Sequence, residues 1–483
     1  MSMLLAILLV ASFPPVTRWA SPDDSRPLTY LEWLQDHPAG PTWQAASVRT
    51  IHAGDSRVTV IVEDRLVEPL AEQLDSMLVG LARDGWTAAL VAARGTAPES
   101  LRAFLQAERD SGLVSAVLIG NLPVAWFQML NDFNNRGVND GYEEFPCDLY
   151  FMDLDGTWLD TLERYGSLDS LVPGEDGKFD THTGDVGPEI GVSRMYVHRL
   201  SNGEARLRAH LERSHAWRSG TLPSSGRALT YIDDDWSLWA PGWDQSHGLV
   251  YFDRTAVWDP ETTKAVDYRD RIRTMPLESV LLCAHSWPGG HQMAYAQRDS
   301  HDYYYASWLP VDNPEGRFWN LFACSNARYV EWNNAGGLYV FGNEHGLNAV
   351  GSTKTGSMLE FQDWYLPLAL GASFNEAFRD WFAARAAGGF HPGEQSWFYG
   401  MTLIGDGTLR PRGAAGLTAD PASLVPAGTP PRTIYTAGEL RNIVAGEIYD
   451  ALGRKADPTR LVPGVYYLRA AAGHAPRRVV VAR

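Results

Sequence analysis

The stretch FWNLFACSNARYVEW, residues 318–332, joins a bulky apolar run to a cysteine and then to small, turn-forming residues. The run from Phe318 to Ala323 predicts a buried strand, which ends at Cys324 because small and polar residues follow. In an open α/β sheet, ligands and chemistry lie at the carboxyl ends of the strands. A free cysteine is ordinarily a small core residue, so the rest of the chain has to supply the evidence for any other role.

Strands and helices alternate along most of the chain. Strand-like runs at 57–64, 87–93 and 115–121 enclose amphipathic helical patterns at 66–85 and 98–112. The rhythm restarts near Ala228, with strand-like runs at 227–235, 277–285, 318–325, 347–353 and 398–406. This alternation predicts an α/β fold of two tandem, doubly wound, mostly parallel units with helices on both faces, over residues 57–220 and 221–410.

The composition is that of a folded, acidic protein. Its 483 residues, 45% of them hydrophobic, are enough for two or three domains. The formal net charge of −17 disfavours a nucleic-acid partner and suits a protein that works outside the cell. The three cysteines are an odd number and cannot form a disulfide framework, which leaves a free thiol to be explained.

Both ends of the chain differ from this α/β region. Residues 1–20 contain a short apolar run near the amino terminus that predicts a signal peptide, and 21–56 are expected to form an N-terminal strap. No other segment reaches transmembrane length. A Pro/Gly/Ala linker at 411–428 leads to a small all-β module at 429–483, whose net charge is +5 against −22 for the remainder. We therefore expect a secreted or surface protein.

A cysteine nucleophile needs a base, and another strand ends in one. SVLLCAHSWPGGH, residues 279–291, carries His285 at the end of its apolar run. If the two strands are parallel neighbours, His285 and Cys324 emerge at the same edge, where the imidazole can activate the thiol and then protonate the leaving amine. Backbone N–H groups just after the strand ends can hold the oxyanion. The alternative is a core cysteine and an unrelated loop histidine.

Seven stretches, taken together, resemble the gingipain-type branch of the caspase-like clan of cysteine peptidases. They run in family order over about three quarters of the chain: VLIGNLP, CDLYFMDLDGTW, PEIGVSRM, FACSNARY, GLNAVGSTKTGSM, GASFNEAFRDWF and YGMTLIGDGTLRP. The resemblance implies a secreted endopeptidase with Cys324 as nucleophile and His285 as catalytic histidine. Ser286 stands where the family commonly has a glycine whose N–H helps to form the oxyanion hole, and Gly407 stands where it has proline.

The other histidine and cysteines near these motifs have weaker claims. His291 is a rival base, but it follows Pro288 and two glycines and is more typical of a loop residue beside the site. Cys283 lies two residues before His285, so both face one side of a strand and Cys283 is expected in the core. No role is assigned to Cys147.

Acidic residues offer two further predictions. Asp233, Asp234 and Asp235 follow the first strand of the second unit, where a carboxylate can orient the histidine or bind a basic substrate side chain; Glu344 is a weaker candidate for the same work. Asp153 and Asp155, with Asp160 nearby, have the alternating carboxylates that hard cations favour. With the calcium binding that the resemblance implies, they predict a structural Ca²⁺ site. The chemistry itself requires no cofactor, and no His/Cys spacing suggests zinc.

The carboxy-terminal module resembles the sorting domain of type IX secretion cargo. The matching stretches are EIYDALGRKA, LVPGVYYLRA and the terminal RRVVVAR, and a small β-sandwich is expected. The resemblance implies export through a bacterial periplasm and the secretion machinery as a partner. A generic adhesive β module is the alternative reading of this segment.

Three hypotheses follow for the whole chain. The first is a secreted cysteine endopeptidase that acts on proteins or peptides through a thioester, cleaving after basic residues. The second is a catalytically inactive gingipain-like surface protein that uses the same edge for binding. The third is an adhesive or structural surface protein, which gives no reason for a Cys–His pair at two strand ends.

Overall fold

A computed structural model describes residues 19–23, 25–38, 42–130, 132–133, 141–164 and 171–413, and the backbone of four later strands. The strands are β1 Gln44–Ile51, β2 Arg57–Glu63, β3 Thr87–Arg94, β4 Leu113–Ile119, β5 Trp126–Leu130, β6 Tyr142–Pro146, β7 Thr157–Leu159, β8 Leu162–Arg164, β9 Leu171–Pro173, β10 Thr181–Thr183, β11 Gly191–Met195, β12 Arg227–Ile232, β13 Asp253–Val257, β14 Leu277–Cys283, β15 His285–Trp287, β16 Gly290–Tyr295, β17 Ser300–Tyr305, β18 Gly316–Phe322, β19 Asn348–Ser352, β20 Met401–Gly405, β21 Ile434–Thr436, β22 Gly446–Asp450, β23 Gly464–Ala470 and β24 Arg477–Ala482.

The helices, in the same part of the chain, connect these strands. They are α1 Tyr30–Asp36, α2 Asp64–Val67, α3 Ala71–Arg83, α4 Pro98–Arg109, α5 Leu149–Met152, α6 Gly203–Ser219, α7 Ala240–His247, α8 Ala265–Thr274, α9 Leu309–Asp312, α10 Ala335–Phe341, α11 Phe361–Ala369, α12 Phe374–Ala386 and α13 Pro392–Phe398. Among the described residues, no helix is both long and apolar enough to span a bilayer.

Eleven strands form one large, mostly parallel sheet, in the order β1-β3-β2-β4-β11-β20-β19-β18-β14-β12-β13. Within it, β1 pairs antiparallel with β3, and β19 with β20; the other described neighbours are parallel. The two predicted α/β units are therefore not separate sheets. Their strands join where β11 meets β20, at the pair Arg194 and Ile404.

Apolar side chains fill both faces of this sheet. Val60 and Val62 of β2 belong to one core cluster and Ile61 to the other, because successive strand residues point to opposite faces. Helices α3, α6, α8 and α10 contribute to the first cluster, and α4, α11 and α12 to the second. Helices on both sides of a mostly parallel sheet confirm the predicted α/β class.

The helix predicted over 66–85 is two helices, α2 and α3. Pro69 lies between them, and proline has no N–H to donate and crowds the preceding turn of a helix. The helix predicted over 98–112 is α4, which begins at Pro98 as the first-turn proline suggests and ends at Arg109.

Smaller elements flank the main sheet. The predicted strap divides into α1, which packs its buried Trp33 against the body, and β1, at the sheet edge. β15, β16 and β17 form an antiparallel three-stranded sheet directly after β14. The four last strands form one sheet in the order β21-β24-β23-β22. Most of the predicted signal peptide and linker lies outside the described residues.

Candidate active site

His285 and Cys324 follow neighbouring parallel strands. The last residues of β14 and β18, Cys283 and Phe322, are register partners, and the Ala284 N–H donates to the Phe322 carbonyl at 3.1 Å. His285 and Cys324 therefore each lie two residues beyond that pair, at the same carboxyl edge of the sheet. Both are nearly buried, with 4% of each exposed.

The imidazole of His285 is held by a carboxylate and an indole. Its Nε2 lies 3.0 Å from Oδ2 of Asp235, and its ring centroid lies 4.4 Å from that of Trp236. Its Nδ1 is buried and has no hydrogen-bond partner within the part of the chain that the structure describes. Burial works against the charge on Asp235, but the hydrogen bond and the electrostatic attraction of His285, with that of Arg298, outweigh it and lower the pKa of this carboxyl group.

Ser286 connects the two strand ends. Its Oγ donates a short hydrogen bond to the carbonyl oxygen of Cys324, and its own carbonyl accepts the N–H of Ala20 at 3.4 Å. Across β15 and β16, Ser286 pairs with His291. Since the N–H and C=O of one residue in an antiparallel pair point to the same side, the Ser286 N–H also points to the free edge of β15, away from β16.

The turn that carries Cys324 is held by the loop after β19. The Ala323 N–H donates to Oγ of Ser357 at 3.2 Å, and the Ser325 N–H donates to the carbonyl of Lys354 at 2.8 Å. Ser325 has a left-handed φ of 56°, a conformation that costs energy for a residue other than glycine. Because the Ser325 N–H is already bonded, it is not free to stabilise an oxyanion.

Lys354, in the middle of that loop, is fully buried. Its Nζ lies 3.0 Å from Oδ2 of Asp132 and 3.7 Å from Oε2 of Glu143, and it donates to the Ser396 carbonyl at 2.7 Å. An ammonium in the interior requires such partners, since burying an unpaired charge is costly. This network fixes the loop against the body of the protein, and through it the cysteine turn.

The three consecutive aspartates have different surroundings. Asp235 contacts His285, whereas Oδ2 of Asp233 accepts the Ala294 N–H at 3.0 Å and Oδ2 of Asp234 accepts the Arg298 N–H at 2.7 Å. Burial raises the pKa of Asp233 well above its ordinary value. Asp233 and Asp234 thus tie the small sheet to the main one, and the structure brings only Asp235, of the three, into contact with the histidine.

The remaining candidates lie away from the Cys324 edge or in the core. Glu344 is exposed and bonds Asn313 near the start of β18, at the opposite end of that strand. His291 is fully buried with Nε2 3.1 Å from the Tyr339 hydroxyl, and burial lowers its pKa to about 3. Cys283 and Cys147 are buried, and burial raises the pKa of both thiols.

The predicted calcium ligands do not all meet. Asp153 and Asp155 cluster with Glu189, their carboxylate oxygens within 4.8 Å of one another, whereas Asp160 accepts the N–H groups of Asp176 and Gly177 in another loop. Protein groups already occupy the cluster. The Gly156 N–H, the Trp158 indole and the His182 imidazole bond the carboxylate of Asp153, and Arg109 donates to Asp155. Three carboxylates suit calcium chemically, but an ion would have to compete with Arg109.

A cavity of about 240 Å³ lies beside Ser325. It is lined by Thr355, Tyr142, Arg164 and two carboxylates, Glu143 and Glu144, and by Trp19, Arg26, Pro27, Leu28 and Thr29 of the amino-terminal segment. That segment is fastened at Leu28, whose carbonyl accepts from Arg328 at 2.8 Å and whose N–H donates to Glu331 at 2.7 Å. The amino-terminal segment thus forms one wall of the cavity.

Two residues of this region escaped the sequence analysis. Arg298 lies 3.6 Å from Oδ1 of Asp235, at a turn where Ala296, Gln297 and Arg298 all have left-handed φ values. The sequence has no glycine or asparagine at these three positions, so it does not predict a left-handed turn there. Lys354 could have been found from the sequence, because it is a lone lysine among small polar residues directly after an apolar strand.

Comparison with solved structures, unlike the two comparisons of sequence, finds matching chains. No protein-family model and no curated protein matches the sequence. Among solved structures, the complex of Porphyromonas gingivalis RgpB pro- and mature domains matches with a TM-score of 0.49 and 11% identity, over 89% of this chain and 94% of that one. A likeness at this level carries no weight for the chemistry, so the assignment of roles depends on the geometry described above.

Proposed function

We propose that this protein is a cysteine peptidase in which Cys324 is the nucleophile, His285 the acid–base group and Asp235 the residue that orients the imidazole. The observation that supports this most is the placement of His285 and Cys324 just beyond paired residues of adjacent parallel strands, with Nε2 of His285 held by Asp235. That hydrogen bond leaves Nδ1 as the ring nitrogen available to exchange a proton with the thiol.

The reaction proceeds in two halves. His285 takes the proton of the Cys324 thiol, and the sulfur attacks the peptide carbonyl carbon, forming the C–S bond and an oxyanion. The N–H of Ser286, at the free edge of β15, is the donor that we assign to that oxyanion. The intermediate collapses to a thioester as the C–N bond breaks, and His285 gives its proton to the leaving amine.

The second half returns the enzyme to its starting state. A water molecule loses a proton to His285 and attacks the thioester, the C–S bond breaks, and the protonated imidazole returns the proton to the cysteine sulfur. The carboxylic acid product then leaves. No cofactor takes part in either half.

The cavity beside Ser325 is the place that we assign to the substrate side chain before the scissile bond. Asp233 and Asp234 accept backbone N–H groups and Asp235 contacts His285, so we do not assign the binding pocket to these three. Glu143 and Glu144 supply the negative charge of the cavity, whose lining also includes Arg26, paired with Glu32, and Arg164, which lies over the Tyr142 ring. We propose on this basis that the preferred side chain is basic. Export and surface attachment through the carboxy-terminal module are part of the same proposal.

A thiol-directed acyloxymethyl ketone probe tests the central assignment. The wild-type protein should be labelled once, at Cys324, and Cys324→Ala should lose both labelling and peptide hydrolysis. Cys283→Ala is the matched control, because Cys283 is a buried core cysteine two residues before His285. Its labelling should equal that of the wild type. Wild-type hydrolysis by Cys324→Ala would show that the nucleophile is a different residue.

The inactive binding protein is the second candidate, and two observations favour it. Cys324 is only 4% exposed, and the Ala20 N–H already occupies the Ser286 carbonyl at the free edge of β15. A protein of this kind would bind peptides at the same edge without turnover. It predicts no labelling of Cys324 by the probe in the intact chain and equal peptide affinity in Cys324→Ala.

A further inference from the structure

The sheet of β15, β16 and β17 continues the candidate active site outwards. His285 pairs with Gln292, and Gln292 pairs with Tyr303, so these three side chains share one face in a row across the sheet. Trp287, Gly290 and Tyr305 form the next row on the same face. The catalytic histidine is therefore the inner end of a row of side chains whose outer end is a tyrosine.

Burial along this face falls with distance from the histidine. His285 is 4% exposed, whereas Gln292, Tyr303 and Tyr305 are half-buried. The opposite face of β17 is different, since its Tyr304 is fully buried in the core. The face that carries His285 is thus the one turned towards solvent.

Aromatic rings dominate the outer part of this face. Trp287 is nearly buried beneath its neighbours, with ring centroids 5.9 Å from Tyr303 and 6.0 Å from Tyr305 in edge-to-face contact. Its indole lies over Gly289 and Gly290, where a Cβ atom would come within 2.4 and 3.0 Å of the ring. The two tyrosines thus rest on a fixed indole, and Gln292 donates to the Tyr303 hydroxyl at 3.3 Å.

The face is also rigidly connected to the site. Asp233 accepts the Ala294 N–H of β16, and Asp234 both donates its N–H to the Ala294 carbonyl at 3.1 Å and accepts the Arg298 N–H. Those two aspartates immediately precede Asp235, which holds the histidine. The aromatic face and His285 are therefore positioned by one continuous turn.

The chemistry of the histidine indicates what this face contacts. His285 protonates the leaving amine in the proposed reaction, so the part of the substrate that follows the scissile bond leaves from the histidine side. Tyr303 lies two strands from His285, roughly 10 Å away at the usual strand spacing. An extended peptide covers that distance in about three residues.

We propose that Tyr303 and Tyr305, on the Trp287 indole, form a subsite for an aromatic side chain at the second or third residue after the scissile bond. The proposal depends on the proposed peptidase function. An aromatic side chain fits because it makes offset or edge-to-face contacts with the tyrosine rings and shields them from water. The occupant is thus the amine-side half of the peptide substrate.

Paired substrates test the subsite. Two quenched peptides are made identical up to the scissile bond and differ only in carrying Phe or Ala at the second and third positions after it. The wild-type enzyme should cleave the Phe peptide with a kcat/KM about threefold to tenfold higher, as expected for one aromatic contact. Tyr303→Ala and Tyr305→Ala should each bring that ratio towards one.

Two further variants separate ring contact from general damage. Tyr303→Phe keeps the ring and should keep most of the preference. Tyr295→Ala removes a half-buried tyrosine on the opposite face of β16 and should leave the ratio at its wild-type value. A wild-type ratio of one, or an unchanged ratio in both Tyr→Ala variants, overturns the subsite while the peptidase remains. Absence of both cleavage and Cys324 labelling overturns the two proposals together.

Discussion

Nε2 of His285 lies 3.0 Å from Oδ2 of Asp235, and in the proposed reaction this contact decides which ring nitrogen exchanges a proton with the thiol. A histidine can donate from one nitrogen and accept at the other, so a carboxylate on Nε2 favours the tautomer that carries its proton there. Nδ1 is then the acceptor. It is buried and has no hydrogen-bond partner among the described residues, as expected of a base whose partner is a thiol or a substrate.

Asp235→Asn should lower kcat about 10- to 100-fold, the usual effect of removing a carboxylate that orients a functional histidine. The amide keeps the size of the side chain but can offer Nε2 a donor, which favours the wrong tautomer. Steady-state hydrolysis of one peptide measures this change in kcat. Asp253→Asn is the matched control, because Asp253 is an exposed strand residue paired with Arg227 far from the site. Equal kcat values for the two variants would contradict an orienting role for Asp235.

His285→Ala should cost at least about two decades in rate, the low end of what a positioned acid–base group contributes. His291→Ala should cost clearly less activity but lower the melting temperature, because His291 is fully buried and bonded to the Tyr339 hydroxyl. Both variants are measured on the same substrate and by thermal unfolding. If His291→Ala shows the larger loss of kcat/KM, the base has been assigned to the wrong histidine.

The sequence predicted where the two strands end but not which side chains surround those ends. Apolar runs that stop at a cysteine and at a histidine predict two buried strands, and the structure pairs them as neighbours. Which of three adjacent aspartates reaches the histidine depends on the course of a turn, and no residue pattern encodes it. Glu344 was a plausible candidate by composition, yet it lies at the amino end of β18 because its loop precedes β19.

The joining of the two α/β halves was equally hidden. β11 and β20 meet through Arg194 and Ile404, which are far apart in the chain, and local periodicity carries no information on such a pairing. The break at Pro69, by contrast, was open to prediction, since proline interrupts helical hydrogen bonding. Distant pairing and turn geometry are thus what the sequence left undetermined.

Acid should destabilise the protein through two buried histidines. Burial lowers the pKa of His247 and of His291 to about 3, below the 6.5 of an ordinary histidine. Below pH 6.5 the unfolded state takes up protons that the folded state does not. The free energy of unfolding is therefore highest above pH 6.5 and decreases as the pH falls from 6.5 towards 3. The loss is on the order of several kcal/mol for each group.

Variants that cannot titrate isolate this effect. His291→Gln keeps a hydrogen-bonding side chain near Tyr339 and should make the unfolding free energy less dependent on pH between 6.5 and 3. His301→Gln, at an exposed histidine of β17, should retain the wild-type dependence. Chemical unfolding at several pH values gives the curves; identical slopes for His291→Gln and the wild type would show that His291 is not responsible.

Calcium should raise the melting temperature by a few degrees if the carboxylates of Asp153, Asp155 and Glu189 bind it, because a ligand of the folded state stabilises that state. Asp155→Asn should abolish the increase, whereas Asp160→Asn should preserve it, since Asp160 lies in another loop. Scanning calorimetry with calcium and with a chelator makes the comparison. An equal melting temperature in both conditions would mean that Arg109 and the other protein donors satisfy the cluster without an ion.

Cleavage should favour Arg or Lys before the scissile bond, and Glu143 should carry much of that preference. Glu143 and Glu144 both line the cavity beside Ser325, but Oε2 of Glu144 lies 2.7 Å from Lys178, whereas Oε2 of Glu143 is 3.7 Å from Lys354. Glu143 is also bonded to the loop that holds the cysteine turn, through the Thr355 N–H at 2.9 Å, and we therefore assign to it the larger share of the attraction for a substrate cation. Because each carboxylate has a lysine nearby, the preference over an apolar side chain is expected to be about tenfold rather than absolute.

Glu143→Gln is the informative variant for this preference. The amide oxygen can still accept the Thr355 N–H, which Glu143 accepts at 2.9 Å, so the loop after β19 is expected to keep its position. The ratio of kcat/KM for an Arg peptide over its Met analogue should fall several-fold, with little change for the Met peptide. A peptide library in which Asp or apolar residues are preferred at this position would refute the basic preference. An unchanged ratio in Glu143→Gln would show that another residue of the cavity causes the preference.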